Sequence, residues 1–269
     1  MVSGARLRCA CGRGRDGECM KRKVIIAAME REVQPLVRSW QRTSLSEGGR
    51  SFVAFERADA VVVISGIGRG NAEAAARVAV ARYQPATLIS AGLAGALIRS
   101  LKAGSVVTPN VVVDAADGME YRCAADGGVV GGGIMVTTDE IAGANVKAKL
   151  VDEFHALIVD MEAAGVAKAA QEAQVSFRCA KAISDETDFV MPPLGKFVDG
   201  DGSFRSGQFA AWAAVRPWQW ARVIALGRNS NKAMRALCEW LEKLCGGSPE
   251  AEVVTLERAK LPGMVSGRR

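Results

Sequence analysis

The stretch Val175–Asp188, VSFRCAKAISDETD, decides the fold. Val175 to Ile183 reads as a strand that breaks into a polar turn at Ser184, and the turn holds three acids, Asp185, Glu186 and Asp188. In an open α/β sheet, ligands bind just past the carboxyl ends of the strands. An acid there, half screened from water, can hold a raised pKa and donate a proton. Ser184 or Asp185 would equally suit the N-cap of a following helix. Local sequence leaves both readings open.

Working outward, the same strand-then-polar pattern recurs. Val24 to Met29 is a short apolar run suited to a buried strand, followed at once by Glu30-Arg31-Glu32 and then Val33, Leu36 and Val37 at helical spacing. Glu32 is thus a second candidate, or simply a favourable charge in a helix's first turn. Phe52–Arg57 and Ala60–Ser65 predict a hairpin running into Gly66-Ile67-Gly68-Arg69-Gly70, then an Ala-rich helix over Ala72–Tyr83. Glycines at a strand end before a helix let backbone N–H groups approach an anion, so Gly68 and Arg69 are candidate anion binders. The spacing is not GxGxxG, and no dinucleotide site is read.

Ala86–Ser90 predicts another strand, ending in the small-residue turn Ser90–Gly95, where backbone would pack against a ligand or a strand. Val106–Val113 is strand-like, with Pro109 marking an edge or bulge. Residues 115–133 read as a polar, Gly-rich mobile loop. Ile134–Thr138 predicts a strand before a helix near Asp139–Leu150, and Leu157–Asp160 a short strand before a helix opening at Met161. Glu162 lies among apolar and small neighbours, where a buried carboxylate needs a partner or a ligand. Helical segments over Phe209–Val215, Trp218–Leu226 and Asn231–Leu244 carry Trp212, Trp218, Trp220 and Trp240, a cluster suited to core or subunit interface.

Length and composition bound the class. The chain has 269 residues, 49% of them hydrophobic, and 29 glycines, which fits one large α/β domain with tight turns. Residues 1–23 carry a net +5 and residues 256–269 a net +3; subtracted from the total of +6, they leave −2 for the rest. The basic excess sits in the tails, which argues against a nucleic-acid surface. Domain limits are expected at 23–246, between a disordered extension 1–22 and a disordered tail 247–269. The seven cysteines show no paired CxxC motif. Cys9, Cys11 and Cys19 lie in a Gly/Arg-rich context without a nearby histidine, which argues against a metal site. Cysteines in apolar stretches suit a reducing cytoplasm. No run approaches the roughly 18 apolar residues that span a bilayer. The one histidine, His155, reads as structural, so no Ser-His-Asp arrangement is available and chemistry must run on carboxylates, backbone groups and an arginine.

Four motifs together resemble the nucleoside phosphorylase/nucleosidase superfamily, and within it the bacterial 5′-methylthioadenosine/S-adenosylhomocysteine nucleosidases. They are AAMEREV at 27–33, SGIGRGNA at 65–72, the Gly92–Gly95 turn, and VDMEAAGVA at 159–167 with ISDETD at 183–188. The resemblance covers Lys23 to Leu244 and implies a mixed sheet flanked by helices, in a homodimer or larger assembly, with no metal and no organic cofactor. It implies that Asp185 protonates or hydrogen-bonds purine N7, that Ser184 orients it, and that Glu32 activates water. It further implies that Glu162 binds the ribose hydroxyls, that Met161 packs on the sugar, and that Gly92, Leu93 and Ala94 line the sugar and base site. The family's GDxF phenylalanine, which stacks on the purine, is replaced here by Ile141 in Thr138-Asp139-Glu140-Ile141. The segment from Met191-Pro192-Pro193 through residues 216–237 resembles hopanoid-associated phosphorylases. That implies adenosylhopane as an alternative substrate, and peripheral membrane proximity in that case. A phosphorylase holding phosphate at Gly68 and Arg69, and a nucleoside-binding module without turnover, are the remaining readings.

Overall fold

The computed structural model describes residues 22–124 and 132–246. The expected extension and tail, and with them Cys9, Cys11 and Cys19, lie outside the described residues apart from Arg22. In chain order the elements are β1 (Lys23–Ala27), α1 (Glu30–Val37), β2 (Gln41–Glu47), β3 (Arg50–Glu56), β4 (Ala60–Ile64), α2 (Arg69–Tyr83), β5 (Thr87–Ala96), β6 (Val106–Val107) and β7 (Val111–Asp114). They continue with β8 (Glu120–Arg122), β9 (Ile134–Thr137), α3 (Ala144–Phe154), β10 (Ala156–Asp160), α4 (Ala163–Glu172), β11 (Ser176–Asp185), α5 (Ser206–Ala214) and α6 (Trp220–Cys245). The strands form one mixed sheet in the order β2-β3-β4-β1-β5-β10-β9-β7-β8, with β11 paired to β5 and β6. Helices cover both faces, as the mixed α/β expectation required.

Strand β5 is the branch point. Its first half pairs in parallel with β1, Ile26 opposite Ser90, while its far end pairs antiparallel with β10, Val159 opposite Gly95. Two strands thus approach the same edge of β5 from opposite directions, and their carboxyl ends leave a gap beside Gly92, Leu93 and Ala94. On the other edge β11 runs parallel to β5 and ends with Asp185 opposite Gly95. Strand β4 ends beside β1, Ile64 opposite Ala27, and feeds the glycine turn. Four carboxyl ends therefore surround one fork, the kind of place where an α/β sheet binds ligands.

The faces follow from side-chain size. Ala72, Ala75, Ala76 and Ala79 form a fully buried stripe on α2 at helical spacing, facing the small residues of α4. The approach is close enough that a Cβ on Gly165 would meet the Arg69 carbonyl oxygen. On the opposite face, α1 and α6 pack through Val33, Leu36, Leu237 and Leu241. Burying a leucine there is worth about 2 kcal/mol by transferred area.

Several expectations are corrected. The Ser90–Gly95 run is no turn: β5 continues through it to Ala96. Its glycines accommodate charged side chains rather than reverse the chain. Val106–Val113 is two short strands separated around Pro109. Within the loop expected at 115–133, Glu120–Arg122 forms a strand antiparallel to β7; residues 125–131 lie outside the described ones. The helix expected near Asp139 starts at Ala144; Asp139 and Glu140 form a bend, and Glu140, Ile141 and Ala142 line the cavity at the fork. The polar strand β2 was not anticipated; only Leu45 of it is buried. The two helices expected around 218–244 are one, α6, of 26 residues. Of the tryptophans, Trp240 is buried, Trp212 stacks on Phe209, and Trp218 and Trp220 are exposed. His155 takes a left-handed conformation at the end of α3, a structural place. Among the described residues no helix is long and apolar enough to cross a membrane.

Candidate active site

Of the three acids at the end of β11 and just beyond it, only Asp185 turns inward. It is 4% exposed, and its Oδ1 accepts a hydrogen bond from Ser184 Oγ at 2.8 Å. Glu186 reaches outward to Lys102, whose hydrogen bond holds its carboxyl below the usual range, and Asp188 is exposed beside Arg99. The N-cap alternative for Ser184 and Asp185 does not arise, since both still belong to the strand.

Glu32 and Glu162 arrive from the other side of the fork. Glu32 sits in the first turn of α1, buried, and its Oε2 accepts from the Met29 N–H at 3.4 Å. It therefore caps its helix and lines the cavity at once. Burial pushes its carboxyl pKa up, and Lys181 and Arg31 offset only part of that. Glu162 occupies the position before α4 and accepts from the Gly68 N–H through Oε1 at 2.9 Å. Burial, reinforced by the neighbouring Asp160 charge, raises its pKa to about 7. An acid that binds its proton more tightly when folded takes up protons on folding between pH 4.5 and about 7. The burial penalty is absent below that window and complete above it. Glu162→Gln keeps the acceptor for Gly68 and removes the charge. It is expected to raise the melting temperature at pH 8 by a few degrees, from roughly 1–2 kcal/mol, and to leave it unchanged at pH 4. Calorimetry at both values checks this; equal melting at pH 8 would contradict it.

Two buried ion pairs were not anticipated. Lys147 Nζ lies 2.6 Å from Asp185 Oδ2, with side chains 3% and 6% exposed. Lys181 Nζ lies 2.8 Å from Asp160 Oδ2, and Asp160 also accepts from Thr137 Oγ1 and the Ala163 N–H. Burial alone would lower the Lys181 pKa, but the carboxylate of Asp160 beside it, with Glu162 nearby, outweighs burial and raises it. The glycines of β5 make room for these groups. A Cβ on Gly95 would stand 2.9 Å from Asp185 Oδ2 and 3.3 Å from Lys147 Nζ; one on Gly92 would stand 3.2 Å from Glu32 Oε2 and 3.5 Å from Lys181 Nζ. Each glycine is thus the floor under one acid and one lysine.

At the turn expected to bind an anion, both groups have partners within the chain. Arg69 Nη1 is held by Asp114 at 2.6 Å and its Nη2 by Asp139 at 3.3 Å, while the Gly68 N–H is engaged by Glu162. The positive charge at this turn is neutralised by the chain's own carboxylates.

Asp185, Ser184, Glu32, Glu162, Met161, Leu93, Ala94 and Ile141 all line one cavity of about 530 Å³, and Gly92 lies behind Glu32. Gly68 and Arg69 stand outside it, joined to it through Glu162. The polar wall carries the acids and Lys147; the facing wall, from Met191 to Met234, is largely apolar and includes Phe204, Phe209, Val223 and Leu226. A more open space of about 780 Å³ adjoins it past Met29 and Phe204 but holds none of the three acids. The smaller cavity is therefore where acid–base chemistry can occur.

A sequence profile of the phosphorylase superfamily matches residues 22–131 and 119–201. The 5′-methylthioadenosine/S-adenosylhomocysteine nucleosidase of Shewanella sediminis (strain HAW-EB3) is 38% identical over 91 residues, which is 33% of this chain and 40% of that protein. The same-named protein of Geobacillus sp. (strain WCH70) is 34% identical over 92 residues, again 33% and 40% of the two. The chain thus spans 40% of the length of these curated relatives. Among solved structures, futalosine hydrolase of Helicobacter pylori strain 26695 has a TM-score of 0.63 at 17% identity, covering 84% of this chain and 98% of that one. The S-adenosylhomocysteine nucleosidase of Streptococcus pyogenes in complex with 5-methylthiotubericidin has a TM-score of 0.60 at 21% identity, covering 86% and 99%. At these identities the likeness is one of fold.

Proposed function

The chain belongs to the phosphorylase superfamily, and we propose that its cavity hydrolyses the N-glycosidic bond of a 5′-substituted adenosine, releasing adenine. The observation that carries this reading is the convergence of Asp185, Glu32 and Glu162 on one cavity. Cleaving the C1′–N9 bond leaves negative charge on the purine and positive charge on the sugar. Asp185 protonates N7 and so removes the cost of an anionic leaving group. Glu162 accepts from the ribose hydroxyls, and its charge offsets the cationic sugar. Glu32 takes the proton of the attacking water. Its raised pKa suits a base, provided the pH is high enough to ionise it. Phosphate is the weaker nucleophile for this site, because Arg69 and the Gly68 N–H are already engaged and Glu32 would repel a dianion.

A second reading concerns the 5′ group. The apolar wall from Phe204, Phe209, Val223 and Leu226 favours a large apolar substituent, of which adenosylhopane is the extreme case. Each methylene buried is worth about 0.8 kcal/mol, or roughly fourfold in kcat/KM. Adenine release is expected to rise from methylthioadenosine through 5′-alkylthio analogues of increasing length. A methylthio optimum with steady loss as the chain lengthens would assign the apolar wall another purpose.

A further inference from the structure

The Lys147–Asp185 pair has no part in the scheme above, and its position raises a chemical difficulty. A general acid must be resupplied with a proton after each turnover, and the group nearest Asp185 Oδ2 is a buried ammonium 2.6 Å away rather than solvent. The lysine is also poorly placed for a merely structural role. It stands near the amino end of α3, where the helix dipole disfavours a cation. Burying both charges is costly as well, and substituting apolar groups for such a pair is often neutral or stabilising. Its geometry is nevertheless well defined: Nζ donates to Asp185 Oδ2 at 2.6 Å and to the Glu186 carbonyl at 3.2 Å, while Ser184 fixes Oδ1. Gly95 lies beneath the pair, with space only for a hydrogen.

We propose that Lys147 is the positioning residue of the acid: it orients Asp185 and resupplies the proton that Asp185 passes to the leaving base. The inference rests on the reading of Asp185 as general acid. As the C1′–N9 bond breaks, its electron pair passes into the purine and N7 takes the proton from Asp185. That proton reaches Asp185 from Lys147 Nζ through Oδ2 as the base departs, so Asp185 ends as it began and the neutral amine left on Lys147 is recharged by solvent. Water gives its hydroxyl to C1′ and its proton to Glu32, so the step balances. The other charged groups around the pair are accounted for. Glu186 turns its carboxylate to Lys102, Asp160 is held by Lys181, Glu162 receives the Gly68 N–H, and Glu140, Glu32 and Arg31 line the cavity from its far sides. The α6 wall contributes Val223, Leu226, Ser230, Asn231 and Met234 and no charge.

The test is the pH profile of adenine release by wild type, Lys147→Met, Lys147→Arg and the Lys147→Met/Asp185→Asn double variant, each shown to be folded by its melting curve. Without the lysine, Asp185 must find its proton from solvent. Lys147→Met is expected to approach wild-type kcat at acid pH and to fall progressively further below it as the pH rises, by about 100-fold or more at pH 8.5. Lys147→Arg keeps the charge but cannot surrender the proton, so KM is held while kcat falls at every pH. The double variant loses no more than Asp185→Asn alone, since the two groups act as one unit. Superimposable profiles for wild type and Lys147→Met, or full rescue by arginine, would overturn the role of Lys147 while leaving the nucleosidase standing. A wild type that neither binds adenine nor releases it from any adenosine would instead overturn the reading of Asp185, and the lysine's role with it.

Discussion

Asp185→Asn is expected to slow adenine release by about 10³-fold, within the range that a positioned general acid contributes. Asparagine has the same size and still accepts from Ser184 Oγ, so the local shape persists. What is lost is a transferable proton at the place where the purine charge develops. The loss should appear in kcat, with KM little changed, because the effect belongs to the transition state. Lys147 would be left as a buried ammonium without its counter-charge, which destabilises the fold by roughly 3–5 kcal/mol if the lysine stays protonated. The comparison must therefore be made well below the variant's melting temperature. A variant that remains folded and keeps kcat within tenfold of wild type would remove Asp185 from the mechanism.

Glu32→Gln is the second large loss expected, about 10²–10³-fold in kcat, since it removes the base that activates water. Glutamine can still accept from the Met29 N–H, so the start of α1 is retained. The wild-type profile carries a further sign. Glu32 works only when ionised, and burial raises its pKa. Hydrolysis should therefore fall as the pH drops, beginning above the ordinary carboxylate range, and in the variant only the limb that protonation of Glu162 imposes should remain. Undiminished turnover by folded Glu32→Gln would show that water is activated elsewhere.

The sheet was readable where side chains are apolar. VII at β1 and VVV at β4 are β-branched runs buried on both faces, and their strands fall where periodicity puts them. Strand β2 was not readable, because an edge strand facing solvent, QRTSLSE, buries only Leu45. The Gly92–Gly95 run misled for a physical reason. Glycine marks turns when the backbone needs freedom, but here it marks absent volume, since the space belongs to Glu32, Lys181, Asp185 and Lys147. Arg69 reads locally as an anion binder; its partner Asp114 lies 45 residues away and leaves no local trace. Of the two buried lysines among the described residues, Lys181 was detectable, for it stands between Ala180 and Ala182 in a strand and a buried charge demands a partner. Lys147 carries no such signal: beside Lys149 on an amphipathic helix it reads as solvated, and only the fold brings it to Asp185.

Hydrolysis at the fork between β1, β10 and β11 is tested by chromatographic identification of both products from methylthioadenosine, in phosphate-free buffer and again with millimolar phosphate. A hydrolase gives adenine and free methylthioribose in equal amounts, at the same rate in both buffers. Adenine released only when phosphate is present, with the sugar recovered as its 1-phosphate, would contradict it.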